Sequence, residues 1–593
     1  MGVLKLWELR AMNESRMHRL SLSMLARNCF CAMGAALVLA GCSASYTRRA
    51  ADKEAYGIIQ RTENKTLGHT NAFTVDTPYS NRKPQDISPE ELIEDRLQTN
   101  RRVLTIEEAI ELAVKSSREY QKAKEALFTT ALRLSNTRYV VGGKVEPSSV
   151  TTANVTRESD GKVSSDVTTD TGLTISQLFK SGGRLTVDML NSVMLYYTGK
   201  PELSFSRVSG TLVQPLLRGF GRNSLEVEAL TQAERDMVYA VRTFSLYQDQ
   251  FAVNTVNDYV RLVAQKDNIR NRYTNYLGRV QSTKRLEARA KDRERLSDVD
   301  QTRQAELTAK NNYVDAVSRY QTSLDEFKLT LGLPLGEKLF LDDAALDLVE
   351  QSGMVPAALD PDIAFRLALK KQTQVLNYID QFEDSKRKAR IAADQLKPRL
   401  TLTGGAALQS EPPADYANFD PDKVRAYAGL QLDLPLDQLP RRNAYRTAMV
   451  NFESELRTFT GRLDDLKRRI ESGLRTLEQR RQNYEIEKNA LILADRRVAS
   501  TTLMLEAGRV EVRELVDSQD AQINSQTFVT AAMVDYQQTR LQLMLDIGAL
   551  DAGLPQFWVK DHLAAFLPAG TPRPKPPEAG EQAVLPPEDY FKN

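Results

Sequence analysis

The sequence contains very few of the residues on which most enzymes and metal proteins depend. Cysteine and histidine occur three times each, at Cys29, Cys31, Cys42, His18, His69 and His562. Neither type occurs between residues 70 and 561. This absence excludes Cys/His zinc sites, thiol nucleophiles and histidine acid–base chemistry from that long stretch. We therefore expect a protein that is not an enzyme and that has no metal site and no cofactor.

An excess of one charge and long apolar runs are missing as well. The 593 residues include 80 basic and 78 acidic side chains, a formal charge of +2, so no basic field for nucleic acid is present. The mean hydropathy of −0.43 and the absence of an apolar run of about 18 residues exclude a bundle of transmembrane helices. Membrane strands, which need only period-two alternation, are not excluded.

The N-terminus has the pattern of an export signal. Several arginines precede an apolar stretch over residues 29–41, which is too short to span a bilayer comfortably. The stretch ends in Leu39-Ala40-Gly41-Cys42, which resembles the bacterial lipoprotein lipobox. That resemblance implies cleavage before Cys42 and a covalent lipid on this residue. The alternative is an ordinary signal peptide with a chance cysteine.

The chain repeats one pattern at an offset of about 216 to 219 residues. Leu286-Glu-Ala288 recurs as Leu505-Glu-Ala507, and Gly332 recurs as Gly548. Such matches in a common order predict two structural repeats.

Each repeat is predicted to contain a shorter helix, strands, a very long helix and a returning helix. A capping box at Thr105 and Glu108 begins the first helix, which should end near residue 137. The first long helix is predicted over about 225–284, where apolar residues recur every seven positions, and the returning helix over about 296–331. The second repeat is predicted to have helices at about 359–396, 441–503 and 514–547.

The helix lengths predict an elongated shape. At 1.5 Å per residue, a 60-residue helix is roughly 90 Å long, and two of the shorter helices placed end to end match it. Helices that are charged except along narrow seams suit a hollow cylinder better than a solid bundle.

Strand-like alternation lies between the first and the long helix of each repeat. In the first repeat it covers about 148–216 and includes up to four strand-like segments, and in the second it covers about 399–434. Strands of about ten residues fit a membrane crossing. About four strands per chain cannot close a barrel alone, so the chain would have to oligomerise.

Together, the segments Leu104–Ala113, Thr211–Asn223 and Glu506–Gln519 resemble the TolC-like outer membrane efflux protein family. The resemblance covers nearly all of residues 104–550 and implies a mixed α+β membrane protein. In this family three chains form one β-barrel, usually of twelve strands, which continues as a periplasmic α-helical barrel. Lipidated members carry an anchored cysteine like Cys42.

The resemblance also implies an entrance at the turns between the long and returning helices. Gly508 matches the turn glycine, and Glu514 and Asp517 match acidic residues that face the pore. In the first repeat the equivalent positions are Arg295 and Asp298, and an ion pair between Arg295 and an acid is a possible latch. The alternative for Glu514 and Asp517 is that they stabilise or solubilise a helix start.

The predicted organisation has six parts. They are a lipoprotein signal peptide (1–41), a polar and irregular N-terminal linker (42–103), a first repeat (104–332), an inter-repeat equatorial linker (333–358), a second repeat (359–550) and a Pro-rich C-terminal tail (551–593). The basic stretch from Arg261 to Arg295, with eleven Lys/Arg against four acids, is interpreted as a solvated helix face or an adaptor-docking patch.

The predicted function is that of the outer membrane channel in a tripartite efflux or secretion system. The expected partners are two further copies, a periplasmic adaptor (membrane fusion) protein, an inner membrane pump and outer membrane lipid, with no nucleic acid. The expected location is the outer membrane of a Gram-negative-type bacterium, lipid-anchored and extending into the periplasm. The alternative is a structural periplasmic coiled-coil lipoprotein without a pore.

Overall fold

The computed structural model of the chain describes residues 44–157, 163–196, 203–290, 296–354, 359–410, 414–415 and 419–560. The predicted signal peptide, the predicted lipidation site Cys42 and the predicted latch residue Arg295 lie outside these ranges. The same holds for the Pro-rich tail beyond residue 560.

The chain alternates helices with strands. The helices are α1 (Ala44–Leu67), α2 (Pro89–Leu97), α3 (Ile106–Ser116), α4 (Arg118–Val141), α5 (Leu225–Ala290), α6 (Leu296–Leu331), α7 (Ala344–Ser352), α8 (Pro361–Lys371), α9 (Thr373–Asp394), α10 (Leu439–Glu506) and α11 (Val512–Ile547). The strands are β1 (Arg101–Leu104), β2 (Lys144–Arg157), β3 (Val163–Leu178), β4 (Arg184–Tyr196), β5 (Leu203–Pro215), β6 (Lys338–Leu341), β7 (Arg399–Gln409), β8 (Ala414–Asp415) and β9 (Arg425–Asp433). In the described ranges, no helix is both long and apolar enough to cross a bilayer.

The two repeats have nearly identical helix lengths. In the first, α3, α4, α5 and α6 contain 11, 24, 66 and 36 residues. In the second, α8, α9, α10 and α11 contain 11, 22, 68 and 36 residues. The long helices are therefore about 100 Å in length. The predicted capping box at Thr105 and Glu108 begins α3, but Ser117 then divides the predicted first helix into α3 and α4.

Two short helices meet end to end beside each long helix. The returning helix α6 ends at Gly332, whose backbone is left-handed at φ 76°, and an added Cβ there would lie 2.1 Å from the carbonyl oxygen of Ser116. Helix α11 ends at Gly548, with φ 72°, and an added Cβ there would lie 2.7 Å from the amide nitrogen of Gln372. We call these two contacts the mid-height junctions, and both require glycine.

The main apolar core surrounds the mid-height junctions. It includes Met237 and Tyr259 of α5, Leu331 of α6, Met544 of α11 and Trp558, each with at most 2% of its surface exposed. The hydroxyl of Tyr259 donates to the carbonyl oxygen of Leu104 at 2.7 Å, so even the polar atom of this buried ring has a partner.

Six long strands form one antiparallel sheet in the order β2-β3-β4-β5-β7-β9, and the two-residue β8 pairs in parallel with β5. The predicted total of about four strands per chain is therefore wrong, whereas the four strand-like segments predicted in the first repeat are present as β2, β3, β4 and β5. The difference comes from the first repeat, where the Thr/Ser-rich segment forms two hairpins instead of one. The β5–β7 pairing joins the two repeats within the sheet.

The N-terminal linker is not irregular as predicted, because residues 44–67 form α1. This helix is mostly polar, and it buries only a short apolar stripe that includes Ala55, Ile58 and Ile59. It packs on α4 and α5, where the Tyr56 ring lies 5.6 Å from that of Phe128. So narrow an apolar stripe gives only a weak helical periodicity in the sequence, which is why this helix was not predicted. Further along, β1 pairs in parallel with β6, which ties the N-terminal linker to the inter-repeat linker.

The turn from the sheet into α5 is held by the second repeat. Gly219 and Gly221 have φ of 77° and 64°, so a left-handed backbone makes the sharp turn from strand to helix. The buried carboxylate of Asp394, at the end of α9, accepts hydrogen bonds from the Gly219 amide at 2.7 Å and from Asn223 at 3.2 Å.

A half-buried carboxyl group on α5, that of Asp249, contacts the segment that follows α11. The amide of Ala552 donates a hydrogen bond to Asp249. Asp551 and His69 are close enough to affect the pKa of the Asp249 carboxyl group. Burial, opposed by that hydrogen bond, raises the pKa of the Asp249 carboxyl to about 6. An ionised carboxylate at this position is therefore costly above pH 6.

Substitutions of glycine test the mid-height junction. We expect Gly332→Ala to lower the melting temperature well below that of Gly508→Ala. Both residues have a left-handed backbone, for which a Cβ costs about 1–2 kcal/mol, but only Gly332 faces another backbone, whereas Gly508 has open space. Thermal unfolding followed by circular dichroism measures the difference, and equal losses would contradict the close contact.

Replacing Asp249 tests the buried charge. Asn at this position can still accept the Ala552 hydrogen bond but carries no charge, so we expect Asp249→Asn to raise the melting temperature at pH 8. A folded pKa above the unfolded value means that the wild type gains stability as the pH falls through 6 towards 4. The advantage of the variant should therefore shrink over that range, and an advantage that is independent of pH would contradict the assignment.

Candidate functional site

One face of the sheet is apolar and exposed to the surroundings of the chain. The registers place odd-numbered residues of β2, β3 and β4 on the same face as even-numbered residues of β5, β7 and β9. That face carries the exposed side chains Val145, Ile175, Met189, Leu195, Leu212, Leu430 and Leu432. An apolar patch of this extent is unfavourable in water and suits contact with lipid.

The opposite face of the sheet is polar. All charged residues of the six long strands lie on it except Arg157, the last residue of β2. Within this face, Thr174 donates to Asp188 at 2.7 Å across β3 and β4. Alternation of an apolar face with a polar one is the pattern of strands that separate lipid from a water-filled interior.

The long helices carry the chain away from the sheet to a tip formed by α5, α6, α10 and α11. Helix α10 ends at Glu506, and Gly508 follows with φ 69°. The Arg509 amide donates to the Met504 carbonyl oxygen at 2.9 Å, which is the hydrogen bond of a Schellman motif. The structure therefore places Gly508 in the turn between α10 and α11.

The predicted acidic residues lie close to this turn. Glu514 is in the first turn of α11, and its side chain is exposed. Asp517 is also exposed and lies 3.9 Å from Arg513 one helical turn earlier. Asp298 is near the start of α6 and is half-buried. The first-turn position of Glu514 also agrees with the alternative that this acid stabilises a helix start.

The main apolar core ends well before the tip. Its last members on the long helices are Val263, with Ala264 packed against it, and Tyr484. About 26 further residues of α5, roughly 39 Å, extend beyond that core. The buried side chains near the tip are mixed, with the polar Thr283, Thr302 and Ser518 among the apolar Leu286, Val512 and Leu515. A region with so few buried apolar contacts can open locally at low cost.

A buried arginine joins the two repeats in this region. Arg279 of α5 has only 3% of its side chain exposed, and its guanidinium donates to Asp520 of α11 at 2.7 Å. It also contacts the Val516 carbonyl oxygen and Asn275, each at 3.3 Å. A buried guanidinium depends on its acceptors, because an unpaired charge in such a position is strongly unfavourable.

The sequence predictions missed Arg279 and Asp520, although one signal was present. The seven-residue spacing of Met237, Phe244 and Phe251 continues along α5 to Arg279 and Leu286, so Arg279 occupies the buried side of the helix. One of the two interpretations of the basic stretch 261–295 was a solvated helix face. That interpretation is incomplete, because Arg279 within the stretch is buried. Within it, Lys266 and Arg270 also pair with Asp343, at 2.6 and 2.5 Å.

Comparison with solved structures gives several matches over most of the chain. One match is CusC, which forms a transmembrane channel; it has a TM-score of 0.55 and 10% identity, and the match covers 75% of this chain and 92% of CusC. The outer membrane channel CmeC of Campylobacter jejuni has a TM-score of 0.54 and 12% identity, with coverage of 78% and 88%. The chain has the fold of outer membrane channels. This confirms the TolC-like fold that the sequence predicted.

A third similar structure is the outer membrane protein VceC of Vibrio cholerae. Its TM-score is 0.53 at 13% identity, and the match covers 75% of this chain and 96% of VceC. No protein-family model and no curated protein sequence matches the chain. At such low identity the matches show a shared fold and assign no role to individual side chains.

Two neighbouring aspartates of α11 provide a matched test of the tip. We expect Asp520→Ala to weaken the contact between α5 and α11 by about 1–2 kcal/mol, because it leaves the buried Arg279 with weaker acceptors. The expected loss of contact free energy is modest because the Asp520 side chain is 58% exposed and its charge is screened by water. Hydrogen exchange of the α5 amides near Arg279 should accelerate roughly five- to thirtyfold.

The control for this test is Asp517→Ala. Asp517 is as exposed as Asp520, and its partner Arg513 is exposed as well. We expect exchange near Arg279 to remain within about twofold of the wild type in this variant. Equal acceleration in both variants would show that the Arg279 contact does not hold the tip.

Proposed function

We propose that this protein is a passive export channel, the outer membrane component of a tripartite efflux or secretion system. The observation that carries the proposal is a sheet with one apolar and one polar face, continued by two helices of about 100 Å. The sheet would cross the outer membrane, and the helices would form a duct through the periplasm. Their fold is shared with CmeC and VceC, which are outer membrane proteins.

Three copies would form the duct, in line with the family resemblance. A single chain has an open sheet, which cannot enclose a water-filled interior by itself. Each copy would also contribute two long helices, paired with their short partners, to a hollow helical wall. The duct performs no chemistry in this proposal, and the transport energy comes from an inner membrane pump reached through a periplasmic adaptor.

The N-terminus would be anchored by a lipid on Cys42. Helix α1 begins at Ala44, two residues after this cysteine, and packs on α4 and α5. A lipid at that position would be held by a helix docked on the rod and not by a free linker.

The entrance would lie at the tip, where the apolar core is absent and Arg279 joins the repeats. Breaking the Arg279–Asp520 contact would let α11 move relative to α5 without disturbing the mid-height junctions. Glu514, Asp517 and Asp298 would place acidic side chains of three copies around the opening. Such rings attract cations and restrict their passage.

The rival function is a structural coiled-coil lipoprotein without a pore. It leaves the apolar face of the sheet without a partner, whereas a channel places that face against lipid. The side chains of Ile175, Met189 and Leu430 are exposed on that face. They would contact water in a protein that remained in the periplasm, which is unfavourable, and lipid in a channel.

Single-channel recording of the full-length protein in planar bilayers tests the proposal. We expect a small conductance in the wild type, a larger one in Asp520→Ala, and weaker block by divalent cations in Glu514→Ala/Asp517→Ala. A pore that is unchanged by all three substitutions would keep the channel and refute the entrance. The absence of any pore from well-folded protein would favour the structural lipoprotein.

A further inference from the structure

The two outer strands of the sheet are unpaired on one side. Within the described ranges, β2 pairs only with β3, and β9 pairs only with β7. They have 14 and 9 residues, so both present long rows of free backbone amide and carbonyl groups. Exposed edges of this length are aggregation sites unless another chain or element covers them.

The two edges are complementary in direction and position. Every step along the path from β2 to β9 is antiparallel, and the path has an even number of strands, so β9 runs antiparallel to β2. Lys144 follows α4 and Asp433 precedes α10, which places both at the end of the sheet that faces the helices. They also lie on the same polar face, where their opposite charges would attract.

We propose that β2 of one copy pairs with β9 of the next copy, and that the wall closed in this way has eighteen strands. The strand number rests on the three-copy channel proposed above, because each copy contributes six long strands. A wall of twelve strands, which the family resemblance implies, would need only four strands from each copy. Head-to-tail pairing of this kind covers both edges of every copy once the ring closes.

The two additional strands are β3 and β4. They are inserted between β2, which follows α4, and β5, which leads into α5, so the connections to the helices are kept. Both have the same two faces as the other strands, with Leu173 and Ile175 of β3 beside Met189 and Val187 of β4 on the apolar side. A hairpin that projected from the wall into water would leave this apolar face exposed, whereas a hairpin within the wall places it against lipid.

The consequence is a wider outer mouth. Barrel diameter grows roughly linearly with the number of strands, so eighteen strands give a barrel about half again as wide as twelve. Barrels of 16–18 strands enclose an aqueous channel. The proposed wall would therefore admit cargo, or plugs formed by other chains, that a twelve-stranded wall would exclude.

Disulfide trapping tests the strand pairing. Ser148 of β2 lies on the polar face, and so do Tyr427, Gly429 and Gln431 of β9. We expect Ser148→Cys combined with a cysteine at one of these three β9 positions to give covalent dimers and trimers on oxidation in membranes. Each single-cysteine variant is the control for the native cysteines and should remain monomeric on a non-reducing gel.

A second set of variants tests a twelve-stranded wall in which each copy contributes β4, β5, β7 and β9. If β2 and β3 lay outside the wall, β4 would become the edge, and Thr186→Cys would cross-link to the β9 positions of a neighbouring copy. Cross-links from Thr186 and none from Ser148, in protein that still conducts ions, would overturn the eighteen-stranded wall and keep the channel. Folded protein with no cross-links from either strand and no conductance would overturn both proposals.

A shortened variant gives an independent measurement of size. Replacing residues 158–202 with an Asn-Gly turn would join β2 directly to β5, which run antiparallel, and leave four long strands. We expect the largest polymer that enters the outer mouth to have a radius roughly one-third smaller than in the wild type. The same polymer cut-off in both proteins would contradict the presence of β3 and β4 in the wall.

Discussion

In each repeat, two short helices have to run beside one helix of about 100 Å, and their ends meet where only a glycine fits. Gly332 approaches Ser116 in the first repeat, and Gly548 approaches Gln372 in the second. The buried core is concentrated around these mid-height junctions, together with the contact between β1 and β6. The sheet at one end and the tip at the other are held in line by this region.

The two ends of the rod are stabilised in different ways. Next to the sheet, α5 and α9 are joined by a dense charge network in which Arg387 contacts Glu228 at 2.7 Å and Arg242 contacts Asp380 at 2.5 Å. At the tip, the contact between the repeats depends on fewer groups, with Arg279 at its centre. A rigid attachment to the sheet and a weakly held tip agree with a duct that opens at one end only.

Much of the architecture could be predicted from the sequence because its signals are periodic. The heptad spacing on α5 and the repeated Gly332 and Gly548 identify long helices, returning helices and their ends. Helix α1 escaped prediction because it buries so few apolar residues, and its stability depends on packing against α4 and α5. Helix packing of that kind is a tertiary effect that local periodicity does not report.

The strand count and the charged contacts were harder for a different reason. Alternation in the first repeat indicated strands, but whether they form one hairpin or two depends on pairing over long distances. Arg279, Asp394 and Asp520 gain their roles only when elements far apart in sequence meet, so their residue type alone carried no signal. Glu514 and Asp517 are exposed near the predicted turn, and their role in a pore depends on neighbouring copies.

Electron microscopy of the full-length protein in lipid nanodiscs distinguishes a membrane channel from a rod without a pore. We expect a particle with threefold symmetry, a hole along its axis, and a rod of about 100 Å that projects from one side of the disc. A single rod lying outside the lipid, or a threefold particle with a solid centre, would contradict it.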